Sequence, residues 1–312
     1  MSLAIVTTTP EGIVIAADSR QSYRNQKGWF RIGSDSATKI IRLNSRCAAT
    51  VTGLAFLMHK GVNKNVFQVI EEFKNSIPDI ESWRAEKIAT SLRKYFIESD
   101  WYQAEKNTLI PRITAELAAK GITGVVFKPV QDEEGTLEFQ GKDASGNSVS
   151  GAIGFEGLQF ALAGYQEGGF DVFISFLPGP FQHPRDSANS PTTAFGTSWL
   201  GQTDVTTRVV LGHDPRLFNV PFVAEAIKKL GMPIVKQQLQ GLEYSVQWGT
   251  ITLNDGIDFA RLLIQTTNAV QRFSDGILAD PGDIAGVGGP IDVAVITPEK
   301  GFQWVAKKEI TV

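Results

Sequence analysis

Two β-favouring runs at the head of the chain, residues 3–9 and 13–17, are separated by Pro10-Glu11-Gly12, and no other stretch constrains the fold as tightly. The proline suits the start of a type I turn and the glycine tolerates positive φ, so an antiparallel hairpin is expected. With those three residues as the loop, Thr9 pairs with Ile13 and Ser2 comes opposite Arg20. Asp18 then lies diagonal to the chain's beginning on the same face, and cross-strand diagonals of about 7–8 Å are within side-chain reach. In this register Ala4, Val6, Val14 and Ala16 share one face, and Leu3, Ile5, Ile13 and Ile15 the other. Apolar residues on both faces predict a sheet buried on both sides.

Removal of Met1 would leave Ser2 with a free α-amine and a β-hydroxyl on one residue. An α-amine of ordinary pKa, about 7.7–8.0, can act as general base for its own hydroxyl. A second hairpin is expected at 39–44 and 47–53 around Ser45-Arg46, and its open end carries both Lys39 and Gly53. A helical pattern after Gly53 would aim that glycine's N–H from a helix start toward a developing oxyanion. Lys39 would hold a nearby hydroxyl and amine in their reactive protonation states.

Residues 12–20 (Gly-Ile-Val-Ile-Ala-Ala-Asp-Ser-Arg), then Thr38-Lys39-Ile40-Ile41, then Thr52-Gly53, resemble the proteasome β-subunits and their bacterial relatives of the HslV and Anbu kind, which are N-terminal nucleophile (Ntn) hydrolases. Counted without gaps, Ser2 falls on the family's N-terminal threonine and Gly53 on its oxyanion-hole glycine. The run Thr7-Thr8-Thr9 sits too near Asp18 to be the nucleophile in that register. The resemblance implies an α+β fold, a four-layer αββα sandwich with insertions, over a single domain spanning 1–312. It implies Ser2, Asp18, Lys39 and Gly53 as catalytic residues. By the same register Gln21, Ala37, Ile41, Val51 and Ala55 line the pocket beside the scissile bond, and their mostly small or aliphatic side chains would favour an apolar substrate residue. The implied activity is hydrolysis of peptide bonds through an acyl-enzyme, with no cofactor and no metal. Implied partners are a peptide or protein substrate, further copies of the chain in a ring or spiral, and an ATP-driven unfoldase. A catalytically silent assembly subunit and a small-molecule amidase on the same scaffold stay open as alternatives. The sequence departs from the family where accessory residues support the amine: Thr197 stands at the first such place, Ile284 and Val287 stand where the family has Asp and Ser, and Asp283 is one residue off.

Composition bounds the remainder. A net charge of −3 gives no basic stripe, so neither nucleic acid nor an anionic membrane surface is an expected partner. One cysteine, Cys47, falls on an expected strand and most simply fills a core position. With no signal-peptide pattern and no apolar run of roughly 18 residues, a cytoplasmic location is expected.

Helical spacing marks Val66, Val69, Ile70 and Phe73, a second helix with the stripe Ala85 to Phe96, and a third from Ile110 to Ala119. An inserted strand region is expected at about 122–157, strands at 158–165 and 170–177, and a Pro-rich loop at 178–191. The C-terminal half predicts a helix at 220–230, another capped by Asn254, and strands at 291–296 and 302–305. His59, His183 and His213 fall in no metal-binding spacing, which argues against zinc. Residues 196–201 (Gly-Thr-Ser-Trp-Leu-Gly) have one residue too many for a G-x-S-x-G elbow, and 286–290 lack the Lys-Ser/Thr ending of a phosphate loop and read as a turn.

Overall fold

The computed structural model describes residues 2–24, 30–128, 136–154, 157–166, 168–277, 280–281 and 285–309. The chain opens with strands β1 (Leu3–Thr9), β2 (Gly12–Asp18), β3 (Gln21–Arg24), β4 (Phe30–Ser34), β5 (Ile40–Asn44), β6 (Cys47–Gly53), β7 (Phe56–His59) and β8 (Val62–Asn65). Helices α1 (Val66–Asn75), α2 (Ala85–Ile97) and α3 (Asp100–Ala119) follow. Next come strands β9 (Thr123–Phe127), β10 (Thr136–Lys142), β11 (Ser148–Gly154), β12 (Leu158–Gln166), β13 (Gly169–Phe176), β14 (Phe181–Asp186) and β15 (Gly196–Gly201). Helices α4 (Asp204–Leu211), α5 (Pro221–Leu230), α6 (Met232–Gln240) and α7 (Leu253–Phe273) then precede β16 (Gly276–Ile277), β17 (Asp280–Pro281), β18 (Ile291–Thr297) and β19 (Gly301–Ala306).

These elements form two compact units. The first comprises 1–37, 195–295 and 304–312, and the second 38–194 and 296–303. The first unit is built on the five-stranded sheet β15-β1-β2-β18-β19. Leu3, Ile5, Val14 and Ala16 on one face of its central hairpin pack against Ile257, Ala260, Leu263 and Ile264 of α7. Complete burial of each such Leu, Ile or Val side chain is worth about 1.5–3 kcal/mol, and every residue of β1 and β2 is buried. Helix α7 starts at a capping box in which Thr252 and Asp255 exchange hydrogen bonds, two residues before the expected Asn254 cap.

The second unit is built on the sheet β14-β13-β12-β6-β5. Its core joins Ile41, Val51, Phe160 and Leu162 of that sheet to Val69, Ile70, Ile88 and Leu92 of α1 and α2. The expected inserted region forms the separate sheet β11-β10-β9. Among the described residues no helix is long and apolar enough to cross a membrane.

The expected four-layer αββα sandwich is not the architecture of this chain. Among the described residues antiparallel sheet dominates: besides the two five-stranded sheets there is one of three strands, and β3–β4, β7–β8 and β16–β17 make ribbons of two. The helices do not form layers that cover the sheets on both faces. The resemblance rests on short strands near the head of the chain and carries no information on these added ribbons. Lys60 and Gly61, with φ of 52° and 75°, turn β7 into β8 just where the sequence pattern predicts the start of a helix. The Pro-rich stretch expected as a loop contains β14, and α3 begins ten residues before its expected start and runs through Pro111.

Candidate active site

The first hairpin forms, with its register shifted by one residue from the expected one. Thr9 pairs with Gly12 and Ala4 with Ala17, so the loop is Pro10-Glu11 alone. The Thr9 hydroxyl closes the turn by accepting from the Glu11 N–H (3.2 Å) and donating to the Gly12 carbonyl (3.1 Å). Because side chains alternate along a strand, one residue of slip exchanges partners across the pair. Leu3, Ile5, Val14 and Ala16 therefore share a face, and Asp18 rather than Arg20 is brought to the start of β1.

Asp18 is buried at 1 % exposure and accepts three backbone N–H bonds. Leu3 donates to Oδ1 at 2.9 Å, while Arg20 (3.1 Å) and Gly288 (3.0 Å) donate to Oδ2. On the other side of the same peptide group, the Ser2 carbonyl accepts from the Gln202 N–H at 2.7 Å. The Ser2–Leu3 peptide is thus held through both its oxygen and its nitrogen, and Ser2 is itself buried. Gln202 is steadied in turn by Gln271, whose side chain donates to Gln202 Oε1 (2.8 Å) and accepts from the Val287 N–H (2.9 Å).

A second set of contacts holds Gly288 in place. Arg20 and Asp35 form a paired ion bridge, Nε to Oδ1 at 2.7 Å and Nη2 to Oδ2 at 3.0 Å, and Arg20 Nη1 donates to the Ala285 carbonyl at 3.1 Å. Hydrogen bonding to Asp35 raises the Arg20 pKa above the ordinary guanidinium value. Gly288 lies against that guanidinium, where a Cβ would come within 2.5 Å of Arg20 Cζ. The Ser19 N–H donates to the Gly288 carbonyl at 3.1 Å, completing the junction. The sequence reading took 286–290 as a turn and missed this role. The signal lay in the tandem glycines preceding β18, which let backbone approach backbone.

The other expected residues are placed as follows. Gln21 opens β3 opposite Ser34, and the Ala37 N–H donates to the Ser19 carbonyl at 2.9 Å. In the second unit, Lys39 is buried just ahead of β5, and its carbonyl accepts from the Val51 N–H at 3.1 Å. Ile41 and Val51 belong to that unit's core, and Ala55 accepts from the Val66 N–H at 3.0 Å. Gly53 ends β6 at φ +94°, with the Gly157 carbonyl oxygen only 1.8 Å from where a Cβ would stand. Strand β7 follows Gly53, and the first helix starts at Val66, so the N–H of Gly53 does not belong to a helix start as expected.

The structure thus joins Ser2 and Asp18 in the first unit, and sets Lys39, Ile41, Val51 and Gly53 along the β5–β6 hairpin of the second. Thr197 is opposite Thr7 on β15, with their hydroxyls 3.0 Å apart, five positions along the strand from Ser2. At about 3.4 Å per residue that is roughly 17 Å, too far to assist the Ser2 amine. Asp283 and Ile284 lie outside the described residues, and Val287 packs in the core of the first unit.

His183, which falls in no metal-binding spacing in the sequence, has two acidic neighbours in the fold. Its Nε2 is 3.1 Å from Asp171 Oδ1 and its Nδ1 is 3.9 Å from Asp186 Oδ2. His59 is bonded to the Tyr95 hydroxyl (3.0 Å) and lies near Glu72, and burial lowers its pKa. His213 Nδ1 is 3.0 Å from the Leu211 carbonyl. No protein-family model matches the chain, and no curated protein matches it.

Proposed function

We propose that the chain is a hydrolase of the N-terminal serine type, acting on peptide or amide bonds in the cytoplasm once Met1 is removed. The observation that carries this reading is the double clamp on the Ser2–Leu3 peptide, with Asp18 on its nitrogen and Gln202 on its oxygen. A residue that supplies both nucleophile and base needs its Cα fixed relative to the substrate, because misplacement by an ångström costs on the order of a hundredfold in rate.

In this reading the Ser2 hydroxyl adds to the substrate carbonyl and its proton passes to the Ser2 α-amine. The tetrahedral adduct collapses as that proton goes to the departing amine, leaving an ester on Ser2. Water, deprotonated by the same amine, then releases the acid. Asp18 is a positioning residue, fixing the peptide next to the nucleophile. Lys39 and Gly53 enter through the family resemblance, as do assembly into a ring or spiral of copies and delivery of substrate by an ATP-driven unfoldase.

Intact mass of the natively expressed protein is the first test, and the expected result is a chain beginning at Ser2. An electrophilic peptide should label Ser2 covalently and fail to label Ser2→Ala. Retained Met1 would instead mark a silent assembly subunit, and labelling that survives in Ser2→Ala would overturn the assignment. Turnover of small amides with none of peptides would narrow the activity to an amidase.

A further inference from the structure

We propose that Asp171, His183 and Asp186, on neighbouring strands of the second unit, form a binding site for a divalent transition metal ion, with Zn²⁺ as the best fit. The three residues each offer a ligand atom, and these atoms all lie within 4.8 Å of one another. Asp171 and Asp186 are directly paired across β13 and β14, and the irregular register between Val172 and Ile174 brings His183 into the same cluster. A tetrahedral zinc ion with ligands at about 2.0–2.1 Å needs ligand atoms spaced by about 3.3–3.4 Å. Asp171 Oδ1 and His183 Nε2, 3.1 Å apart, are already close to that spacing. The partly exposed Asp186 offers the third ligand atom, within 4.8 Å of the other two.

Each ligand is held by a further contact of the kind that orients metal-binding side chains. Gln166 donates to Asp171 Oδ2, leaving Oδ1 toward the histidine. The His183 ring stacks on Phe173 with centroids 4.3 Å apart and planes 16° from parallel. Asn189 donates to both oxygens of Asp186, through its backbone N–H at 2.9 Å and its side chain at 2.8 Å.

Charge supplies an independent argument. The ionisable groups that act most strongly on Asp171 are His183, Asp186 and Glu86, so one imidazole faces three carboxylates. Asp171 is also buried, so acidic groups are in excess over the one imidazole in a poorly solvated place. A divalent cation neutralises that excess. The mixture of carboxylate oxygen and imidazole nitrogen suits zinc and its first-row neighbours, whereas an all-oxygen set would suit calcium or magnesium. With three protein ligands, the fourth position of a tetrahedral ion is left for water.

The test is titration of the untagged full chain with Zn²⁺, after treatment with chelator, followed by calorimetry. Wild type should bind one equivalent, and His183→Ala and Asp186→Asn should each weaken binding at least tenfold, as loss of a ligand requires. Both substitutions are at partly exposed positions; circular dichroism of the metal-free proteins confirms that each still folds. His213→Ala and Ser2→Ala should bind as wild type does, which separates this site from surface histidines and from the proposed nucleophile. Zn²⁺ should also raise the Tm of wild type and leave that of His183→Ala unmoved. Absence of binding to wild type, or equal affinity in His183→Ala, would overturn the proposal.

Discussion

Asp18 in the first unit, at 1 % exposure, and Asp171 in the second, at 2 %, are both almost completely buried, and the two are satisfied in opposite ways. Asp18 accepts from three backbone N–H groups that belong to separate stretches of chain: the start of β1, the residue after Ser19, and the glycine turn before β18. Asp171 takes its bonds from two side chains, His183 and Gln166, and faces like charge from Asp186 and Glu86. Backbone donors cannot rotate away, so a carboxylate ringed by them works as a fixed joint. Side-chain donors can exchange for a proton or a metal ion, so the second carboxylate can respond to its surroundings.

If Asp18 is a joint, removing it should do the most damage. Asp18→Ala leaves three N–H groups without their acceptor, two buried and one part-buried, each costing about 1–3 kcal/mol, and partial relaxation sets the expected loss at roughly 3–5 kcal/mol. Urea denaturation measures it directly. A loss under about 1 kcal/mol would show that the three segments hold together without the carboxylate, and would break the comparison.

A step smaller is the effect of Gly288→Ala. Its Cβ would come within 2.5 Å of Arg20 Cζ, and the obstacle is the end of a flexible side chain rather than backbone. Arg20 must therefore shift from Asp35, or Gly288 must back away from Asp18. The expected cost is about 2 kcal/mol, from one weakened charged pair and one lengthened buried hydrogen bond. The same variant should label more slowly with an electrophilic peptide. Unchanged stability with unchanged labelling would mean that the Arg20–Asp35 bridge does not support the site.

These two effects fall on residues that were unequally legible in the sequence. The run of β-formers at 3–9, the glycine and the acid–serine–arginine ending of β2 identify the hairpin and pick out Asp18. The register is not legible from them, because Thr9 shortens the turn with a side-chain hydrogen bond that composition does not announce. Hairpin β5–β6 follows its expected limits almost residue for residue, since two polar residues separate two apolar runs. The β7–β8 ribbon was missed because its turn, Lys60-Gly61, lacks the Asn or Asp that usually signals one. The contact of Gly288 with Asp18 spans 270 positions in sequence, and the clustering of His183 with Asp171 depends on an irregular strand pair. No local pattern encodes either. The layered architecture failed for a similar reason, as short motifs specify a few strands and leave open what the intervening residues add.

The thiol of Cys47 tests the second unit from another direction. Burial in the core raises its pKa, and the negative charge of Asp171 raises it further, so the thiol stays protonated at neutral pH. Thiolate is the reactive form. Alkylation at about pH 8 should be at least a hundredfold slower in the native protein than in urea, with access as well as protonation contributing. Fast native labelling would show that the strand carrying Cys47 opens readily, and that the surroundings of Asp171 are less closed than their burial indicates.

The smallest effect expected is also the one that most sharply separates the two aspartates. Asp171→Asn keeps an oxygen for His183 and nearly the same volume, so its direct cost is on the order of 1 kcal/mol or less. Its dependence on pH is the informative part. Desolvation, opposed by His183 and reinforced by Asp186 and Glu86, raises the pKa of Asp171 in the folded protein above its ordinary value of about 3.9. A carboxyl raised in this way stabilises the fold fully at pH below the unfolded pKa, and that contribution is lost as pH rises through the folded value. Asparagine does not titrate. In the presence of a chelator, the Tm of Asp171→Asn should therefore improve relative to wild type as pH rises from about 4. Adding Zn²⁺ at neutral pH should reverse that improvement, because only wild type gains from the ion. A Tm difference that stays level with pH, or moves the other way, would mean that burial and like charge do not disfavour the ionised form of Asp171, and the contrast between the two units would fail.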